Sequence, residues 1–182
     1  IVKFIGASWD KTPNVFVLLE LLHGGELKNF IHGDTELSAE YVSTSLLAAQ
    51  EICFGLAYLH DFVPTSIIHR DIKPENVLLS ARVPPFTAKI ADLGEARFKS
   101  SRDNDMSMVG TPVYTAPEIL VGDGYDERVD VYSFGIMLNE MFARRKPYSM
   151  DGRNFNAVSV VERMRRPQTF EPLVSLSAGG ST

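Results

Sequence analysis

The sequence has little cysteine, little excess charge and no obvious long hydrophobic run, and each of these scarcities excludes a class of protein. Cys53 is the only cysteine among 182 residues, so the chain can form neither an internal disulfide nor a cysteine-based zinc site. This cysteine usage is typical of a reducing compartment, and we expect an intracellular, cytoplasmic location, either for the whole protein or as the cytoplasmic part of a larger one. The formal net charge of −5 provides no basic excess that would indicate nucleic acid as a partner.

The hydrophobic content of 45% is that of a globular protein. Polar residues interrupt the apolar stretches, so we expect no transmembrane helix. Residues 1–5 have no basic start and no cleavage site, which argues against a signal peptide. We interpret them as a cut through an ordered element.

Apolar periodicity predicts strands and helices in mixed order. Residues 1–5 and Val15–Leu19 are predicted strands, the second of them buried. Ser38 is a favourable N-cap, and apolar residues at helical spacing after it predict a long helix that ends near His60. The other predicted elements are short apolar strands at 67–68, 77–79 and 89–91, a polar loop at 97–112, and helices at 26–32, 129–142 and 148–164.

Two short loops that follow apolar strands contain the residues with the clearest chemistry. Asn76 and Asp92 offer oxygen ligands of the kind that hold Mg²⁺ between a protein and phosphates. Asp71 can accept a hydroxyl proton while Lys73 neutralises a phosphate. A metal, a base and a cation close together are what phosphoryl transfer requires, because that chemistry depends mainly on positioning and charge stabilisation.

Three motifs in the same order resemble those of eukaryotic protein kinases: His69-Arg70-Asp71-Ile72-Lys73-Pro74-Glu75-Asn76, Asp92-Leu93-Gly94 and Ala116-Pro117-Glu118. The resemblance extends over about residues 1–165 and implies an α+β, protein-kinase-like fold. Residues 1–22 would be a partial N-lobe of two strands with the hinge, and residues 23–165 the mostly helical C-lobe. Residues 166–182 would be a divergent or truncated tail.

The resemblance also implies roles for the catalytic residues. Asp71 would be the base that orients a substrate hydroxyl, Lys73 would contact the γ-phosphate of ATP, and Thr111 would bond to both side chains. Asn76 and Asp92 would bind Mg²⁺. A lysine two residues after the catalytic aspartate is typical of Ser/Thr kinases. The implied function is phosphorylation of Ser/Thr hydroxyls on a protein substrate, as part of an intracellular signalling protein.

Further roles near the nucleotide follow from the same resemblance. Glu20 C=O and Leu22 N–H would pair with adenine at the hinge, Leu19 would be the gatekeeper, and Leu78 would form the floor under adenine. Glu26 would bind the ribose, or is simply favoured as a carboxylate at a helix N-terminus, and both can hold. Glu75 is placed with the ATP-binding residues.

Regulatory and structural roles complete the resemblance. Phe4, His69 and Leu93 would form a hydrophobic stack between the lobes, and Asp130 would accept backbone N–H groups of the catalytic loop. Arg70 would pair with a phosphate on the following loop. Ser107 is the candidate phosphorylation site, with an unmodified loop serine as the alternative. Glu118 would pair with a late arginine, which is Arg166 in one of two interpretations of the tail.

Three features expected of the family do not occur in this sequence: a Gly-rich loop over the phosphates, a strand lysine and its helix glutamate. This leaves open a second hypothesis, a kinase-like binding or scaffold module that no longer transfers phosphate. Residues 130–136 and 146–148 resemble the tyrosine-kinase-like branch of Ser/Thr kinases.

Overall fold

The computed structural model describes residues 1–10, 14–99 and 110–148. Within these ranges the fold is α+β, as predicted. Its elements, in chain order, are β1 (Phe4–Trp9), β2 (Val15–Leu19), β3 (Gly25–Glu26), α1 (Leu27–His32), α2 (Ala39–His60), β4 (Ile67–Ile68), a single 3₁₀ turn (Pro74–Asn76), β5 (Val77–Leu79), β6 (Ala88–Ile90), β7 (Arg97–Phe98), α3 (Pro117–Val121) and α4 (Arg128–Ala143).

The long helix α2 is the centre of the core and has the predicted bounds. Ser38 caps it, since the Ser38 hydroxyl accepts a hydrogen bond of 3.1 Å from the Tyr41 amide. Its inward side packs against β6 and α4. The main cluster of buried apolar side chains accordingly joins this helix, α1, the strands β5 and β6 and α4, and includes Ile31, Ile52, Leu56, Val77, Ile90 and Met137.

The helix α2 is long and apolar enough to cross a membrane by length and composition alone, with a mean hydropathy of 1.3. A helix in the core of a protein can have the same length and composition. Tyr41, Ile52 and Leu59 are at most 2% exposed within the described part of the chain, so these side chains of α2 are buried by the protein itself.

The first strand differs from prediction in its bounds, and the second has the predicted bounds but not the predicted burial. The first strand is Phe4–Trp9, and residues 1–3 precede it, with Val2 N donating to Ile90 O at 2.7 Å. The strands β1 and β2 pair antiparallel in a sheet of their own. Val17 and Leu18 are 59% and 60% exposed although they point to opposite faces. An apolar strand becomes buried only when another layer covers it, and the described residues supply none here.

Two further sheets position the loops of interest. In the order β3-β5-β6, the central strand β5 pairs antiparallel with both neighbours. The third sheet pairs β4 with β7. Residues 97–112 were predicted as a loop throughout, and for Arg97–Phe98 this is wrong, because a distant strand at Ile67–Ile68 supplies the ladder. Residues 100–109 and most of the predicted helix at 148–164 lie outside the described ranges.

The helix predicted at 129–142 is confirmed as α4. Val129, Met137 and Met141 are at most 1% exposed, whereas Val131 faces outward. The short helix α3 was not predicted. It begins with Pro117 and ends at Gly122, whose φ of 78° is a conformation that favours glycine.

We expect Ile52→Ala to lower the free energy of unfolding by roughly 2–5 kcal/mol, because Ile52 is fully buried and the substitution leaves a cavity. Chemical denaturation followed by circular dichroism measures this. The matched control is Leu47→Ala on the same helix, 61% exposed, with an expected change within about 0.5 kcal/mol. Equal losses for the two variants would contradict the assignment of the α2 faces.

Candidate active site

Asp130, in the first turn of α4, fixes the loop that contains Asp71. Its carboxylate is fully buried and accepts hydrogen bonds of 2.8 Å from the backbone amides of His69 and Arg70. His60, at the end of α2, contacts the same carboxylate at 2.8 Å through Nε2. The predicted anchoring contact is therefore present. It holds Arg70 at a φ of 70°, a backbone conformation that is uncommon for a residue other than glycine.

Four hydrogen-bond donors surround the Asp71 carboxylate. Lys73 Nζ lies 2.6 Å and Asn76 Nδ2 lies 2.8 Å from Oδ2. The Thr111 amide and hydroxyl lie 3.0 Å and 3.1 Å from Oδ1. Lys73 also donates to the Thr111 hydroxyl at 2.8 Å, so the predicted contacts of Thr111 with Asp71 and Lys73 are both present. Residues up to 40 positions apart thus converge on one carboxylate.

Opposing effects act on the ionisation of Asp71. Partial burial on its own would raise the pKa of its carboxyl, but the hydrogen bond and charge of Lys73, with the hydrogen bonds from Asn76 and Thr111, outweigh burial and hold the pKa below its usual value. Because this pKa is lowered in the folded state, ionised Asp71 stabilises the fold above its unfolded pKa. That stabilisation is lost as the pH falls through the folded pKa.

Arg70 is buried, and polar groups already surround its guanidinium. Its Nε donates to the Glu95 carbonyl, and one terminal nitrogen lies 3.1 Å from the Tyr125 hydroxyl. The Glu95 carboxylate is 4.0 Å from the other terminal nitrogen and is about half exposed. Ser107, the predicted source of a phosphate for Arg70, lies outside the described residues, so that pairing remains a prediction.

Asn76 and Asp92 fit a magnesium ion that is shared with phosphates. Asn76 Nδ2 donates to both the carbonyl and the carboxylate of Asp71, which leaves its amide oxygen for a cation. Asp92 is exposed with a φ of 58°, and Oδ1 accepts from Gly94 N, which leaves Oδ2. In the described part of the chain no three His, Cys, Asp or Glu side chains cluster as a metal site. This agrees with the usual binding of Mg²⁺, which takes one or two ligands from the protein and the others from phosphates and water.

One face of the sheet β3-β5-β6 carries residues predicted to bind the nucleotide. Glu26 and Lys89 are both directly opposite Leu78 on the central strand, so the three side chains share a face. Glu26 is the N-cap of α1 but makes no capping hydrogen bond with its side chain. Its position therefore agrees with both interpretations drawn from the sequence.

Lys89 is a residue of this face that the sequence interpretation missed. Its ammonium lies 2.8 Å from each carboxylate oxygen of Glu20, and the Lys3 amide donates to the same carboxylate at 2.6 Å. The hydrogen bonds from Lys89 and Lys3 lower the pKa of Glu20. The Glu20 side chain thereby ties the predicted hinge to β6. The signal that could have identified Lys89 is its position between two apolar residues, Ala88 and Ile90, both of which are buried.

The predicted hydrophobic stack is not buried as a unit. His69 is fully buried, whereas Phe4 is 59% and Leu93 is 45% exposed. Phe4 is exposed because no second layer from the described residues covers the sheet of β1 and β2. Leu19, the predicted gatekeeper, is exposed in the same sheet, and Leu22 is half-buried.

A cavity of about 230 Å³ adjoins the Asp71 network through Thr111. Its lining includes Glu75 and Glu140, two acids whose contacts the sequence interpretation did not foresee. Glu140 is buried, with the Tyr114 hydroxyl 2.6 Å from one oxygen and His32 Nε2 2.7 Å from the other. The sequence did contain a signal for Glu140, because it is an acidic residue on the inward side of α4, where apolar residues were expected. A larger cavity, of about 460 Å³, lies around Gly24 and does not include these residues.

Glu118 lies in the first turn of α3. Its predicted partner Arg166 is outside the described residues, so their pairing remains a prediction.

We expect Asp130→Ala to lower the free energy of unfolding by roughly 3–5 kcal/mol, since it leaves two buried backbone amides without an acceptor. Thermal and chemical unfolding measure this. Asp126→Ala is the matched control, because its partner Arg128 is 84% exposed and the expected loss is under about 1 kcal/mol. A loss for Asp130→Ala no larger than that of the control would contradict the anchoring role.

Comparison with known families agrees with this geometry. The family described as Protein kinase domain matches residues 1–176. The chain is 38% identical over 159 residues to the serine/threonine-protein kinase CLA4 of Saccharomyces cerevisiae, which covers 81% of this chain. It is 34% identical over 167 residues to the serine/threonine-protein kinase STY46 of Arabidopsis thaliana, which covers 92% of this chain.

The match covers only part of each relative, 18% of CLA4 and 28% of STY46. A serine/threonine-protein kinase/receptor of Acanthamoeba polyphaga mimivirus is 39% identical over 160 residues, which are 88% of this chain and 9% of that protein. Among solved structures, the yeast RNA Pol II CTD kinase CTDK-1 complex has a similar chain with a TM-score of 0.71 and 25% identity, covering 89% of this chain and 49% of the other. The chain therefore belongs to the protein kinase family and is a domain of the eukaryotic Ser/Thr type.

Proposed function

We propose that the protein containing this chain transfers the γ-phosphate of ATP, with Mg²⁺, to Ser or Thr hydroxyls of other proteins. The convergence of Lys73, Asn76 and Thr111 on the Asp71 carboxylate is the observation that supports the proposal best. It places an ionised acceptor and a cation side by side, which an enzyme for phosphoryl transfer needs at the acceptor hydroxyl.

The acceptor capacity of Asp71 indicates how the substrate binds. A carboxylate offers about four lone-pair sites, and four donors already occupy them. A substrate hydroxyl must therefore replace one donor. Lys73 is the donor with an alternative, because its flexible ammonium can turn from Asp71 toward the transferring phosphoryl group. Asp71 then orients the hydroxyl and takes its proton.

Asn76 and Asp92 would hold Mg²⁺ through the oxygen atoms that their local hydrogen bonds leave over. When bound there, the metal neutralises charge on the phosphates. Leu78 and Glu26 share the face of the sheet that would lie against adenine and ribose. Backbone groups of Glu20 and Leu22, next to Leu19, would pair with the adenine edge.

The alternative, a scaffold module without transfer, is not favoured by this arrangement, since Asp71, Lys73, Asn76 and Asp92 are all retained. We also propose that the proteins it phosphorylates are intracellular. Membership in the tyrosine-kinase-like branch and phosphorylation of Ser107 remain hypotheses.

We expect Asp71→Asn in the full chain to lower kcat by roughly 10²–10⁴-fold, because the amide cannot take the hydroxyl proton. Phosphate incorporation into a Ser/Thr protein substrate, with ATP and Mg²⁺, measures this. ATP binding should be unchanged. Asp126→Asn is the control, since Asp126 pairs with an exposed arginine at the start of α4. Equal incorporation by wild type and Asp71→Asn would contradict the proposal.

We expect Lys73→Met to move the acidic limb of the pH profile of kcat/KM to higher pH. Lys73 is a cause of the lowered pKa of Asp71, and without it partial burial would raise that pKa. The midpoint of the limb is compared, not the plateau, because the plateau rate also falls. Lys99→Met, which breaks an ion pair of 2.6 Å with Glu127, should leave the limb in place. A limb unchanged in Lys73→Met would show that Asp71 does not govern it.

A further inference from the structure

Two carboxylates, Glu75 and Glu140, lie in the wall of the cavity that adjoins Thr111. Thr111 hydrogen-bonds to Asp71, so a substrate residue near the acceptor hydroxyl would reach this cavity. Without counter-charges, two carboxylates in such a place would attract an arginine, whose guanidinium matches a carboxylate in shape and charge. The partners of these acids therefore determine which substrates the cavity accepts.

The helix α1 supplies a partner to each of the two acids. Lys28 and His32 are four residues apart and so lie on the same side of the helix. Lys28 Nζ lies 3.0 Å from Glu75 Oε1, and His32 Nε2 lies 2.7 Å from Glu140 Oε1. This side of α1 faces the 3₁₀ turn Pro74–Asn76, which contains Glu75.

The two carboxylates differ in whether an oxygen atom remains to accept a hydrogen bond from a ligand. Glu140 is 2% exposed, and both of its oxygens are bound, by His32 and by the Tyr114 hydroxyl. Glu75 has one oxygen bound by Lys28, while the other, Oε2, is buried without a hydrogen-bond partner. A buried carboxylate oxygen without a donor is costly, so an incoming donor would be stabilised there.

Lys28 opposes such a donor when the donor is charged. The hydrogen bond and charge of Glu75 raise the pKa of Lys28, so its ammonium is charged at neutral pH. A cationic substrate side chain would meet a carboxylate that is already paired and a neighbouring positive charge. A second lysine, Lys146, lines the cavity itself.

We propose that Lys28 is a specificity-determining residue that, by pairing with Glu75, suppresses selection for a basic side chain next to the acceptor hydroxyl. The inference rests on the proposed function and names a property of the same site. It requires that removal of the Lys28 charge turns a nearly neutral cavity into an acidic one, in which Glu75 is the group that attracts a basic side chain.

The test compares peptides that share one acceptor serine and carry either arginine or norleucine at one neighbouring position, scanned along the peptide. The ratio of kcat/KM for the two peptides measures charge selection by the full chain. We expect a small ratio for wild type and a ratio about fivefold larger at one position for Lys28→Met, the size expected for one partly exposed ion pair. The double variant Lys28→Met with Glu75→Gln should return the ratio to the wild-type value.

Lys99→Met is the matched control, because the Lys99–Glu127 pair has side-chain exposures of 43% and 31%, close to the 39% and 33% of Lys28 and Glu75. It should leave the ratio unchanged. An unchanged ratio in Lys28→Met at every position, or an enlarged ratio that persists with Glu75→Gln, would overturn the inference.

Peptide binding measured by fluorescence anisotropy separates failure of this inference from failure of the proposed function. If the chain transfers no phosphate but the binding ratio of the two peptides changes in Lys28→Met, the proposed function fails and the inference stands. If phosphate is transferred and neither ratio changes, only the inference fails.

Discussion

The fully buried carboxylate of Asp130 is the interaction on which the rest of the site depends. It joins the start of α4 to the backbone of His69 and Arg70 and to the end of α2 at His60. Burying a charge is costly unless donors surround it, and these three contacts provide them. In return they hold Arg70 in its left-handed conformation, and Asp71 follows directly. The core helices therefore determine where the Asp71 carboxylate lies.

The same principle recurs at two further acids near the site, whose donors include residues from distant segments. Asp71 has Lys73, Asn76 and Thr111, and Glu140 has Tyr114 and His32. These contacts tie the segment after residue 110 to the loop around Asp71. The cavity beside Thr111 is lined by residues that make these contacts, and its charge depends on α1, an element outside the three sequence motifs.

Polar and apolar patterns predicted the structure with unequal success. The bounds of α2 and α4 agree with prediction because a helix is stabilised by local spacing and a local cap such as Ser38. The burial of β2 was predicted wrongly because burial depends on a second layer. The strand at Arg97–Phe98 was missed because its partner strand is far away in the sequence, with Ile67 opposite Phe98, 31 positions later. Exposed Phe4 and Leu93 likewise show that an apolar residue in a motif does not by itself produce a packed stack.

By itself, the sequence determined the family and the α+β class, and it identified the residues that we propose accept a proton, balance charge and bind a metal. Those properties belong to contiguous motifs and to the chemistry of single side chains. Only the tertiary structure decided that Lys89 holds Glu20, that His60 supports Asp130, and that Lys28 and His32 face Glu75 and Glu140. The reason is physical: the pairing of a charge depends on which distant segment packs against it, and packing follows from the whole core.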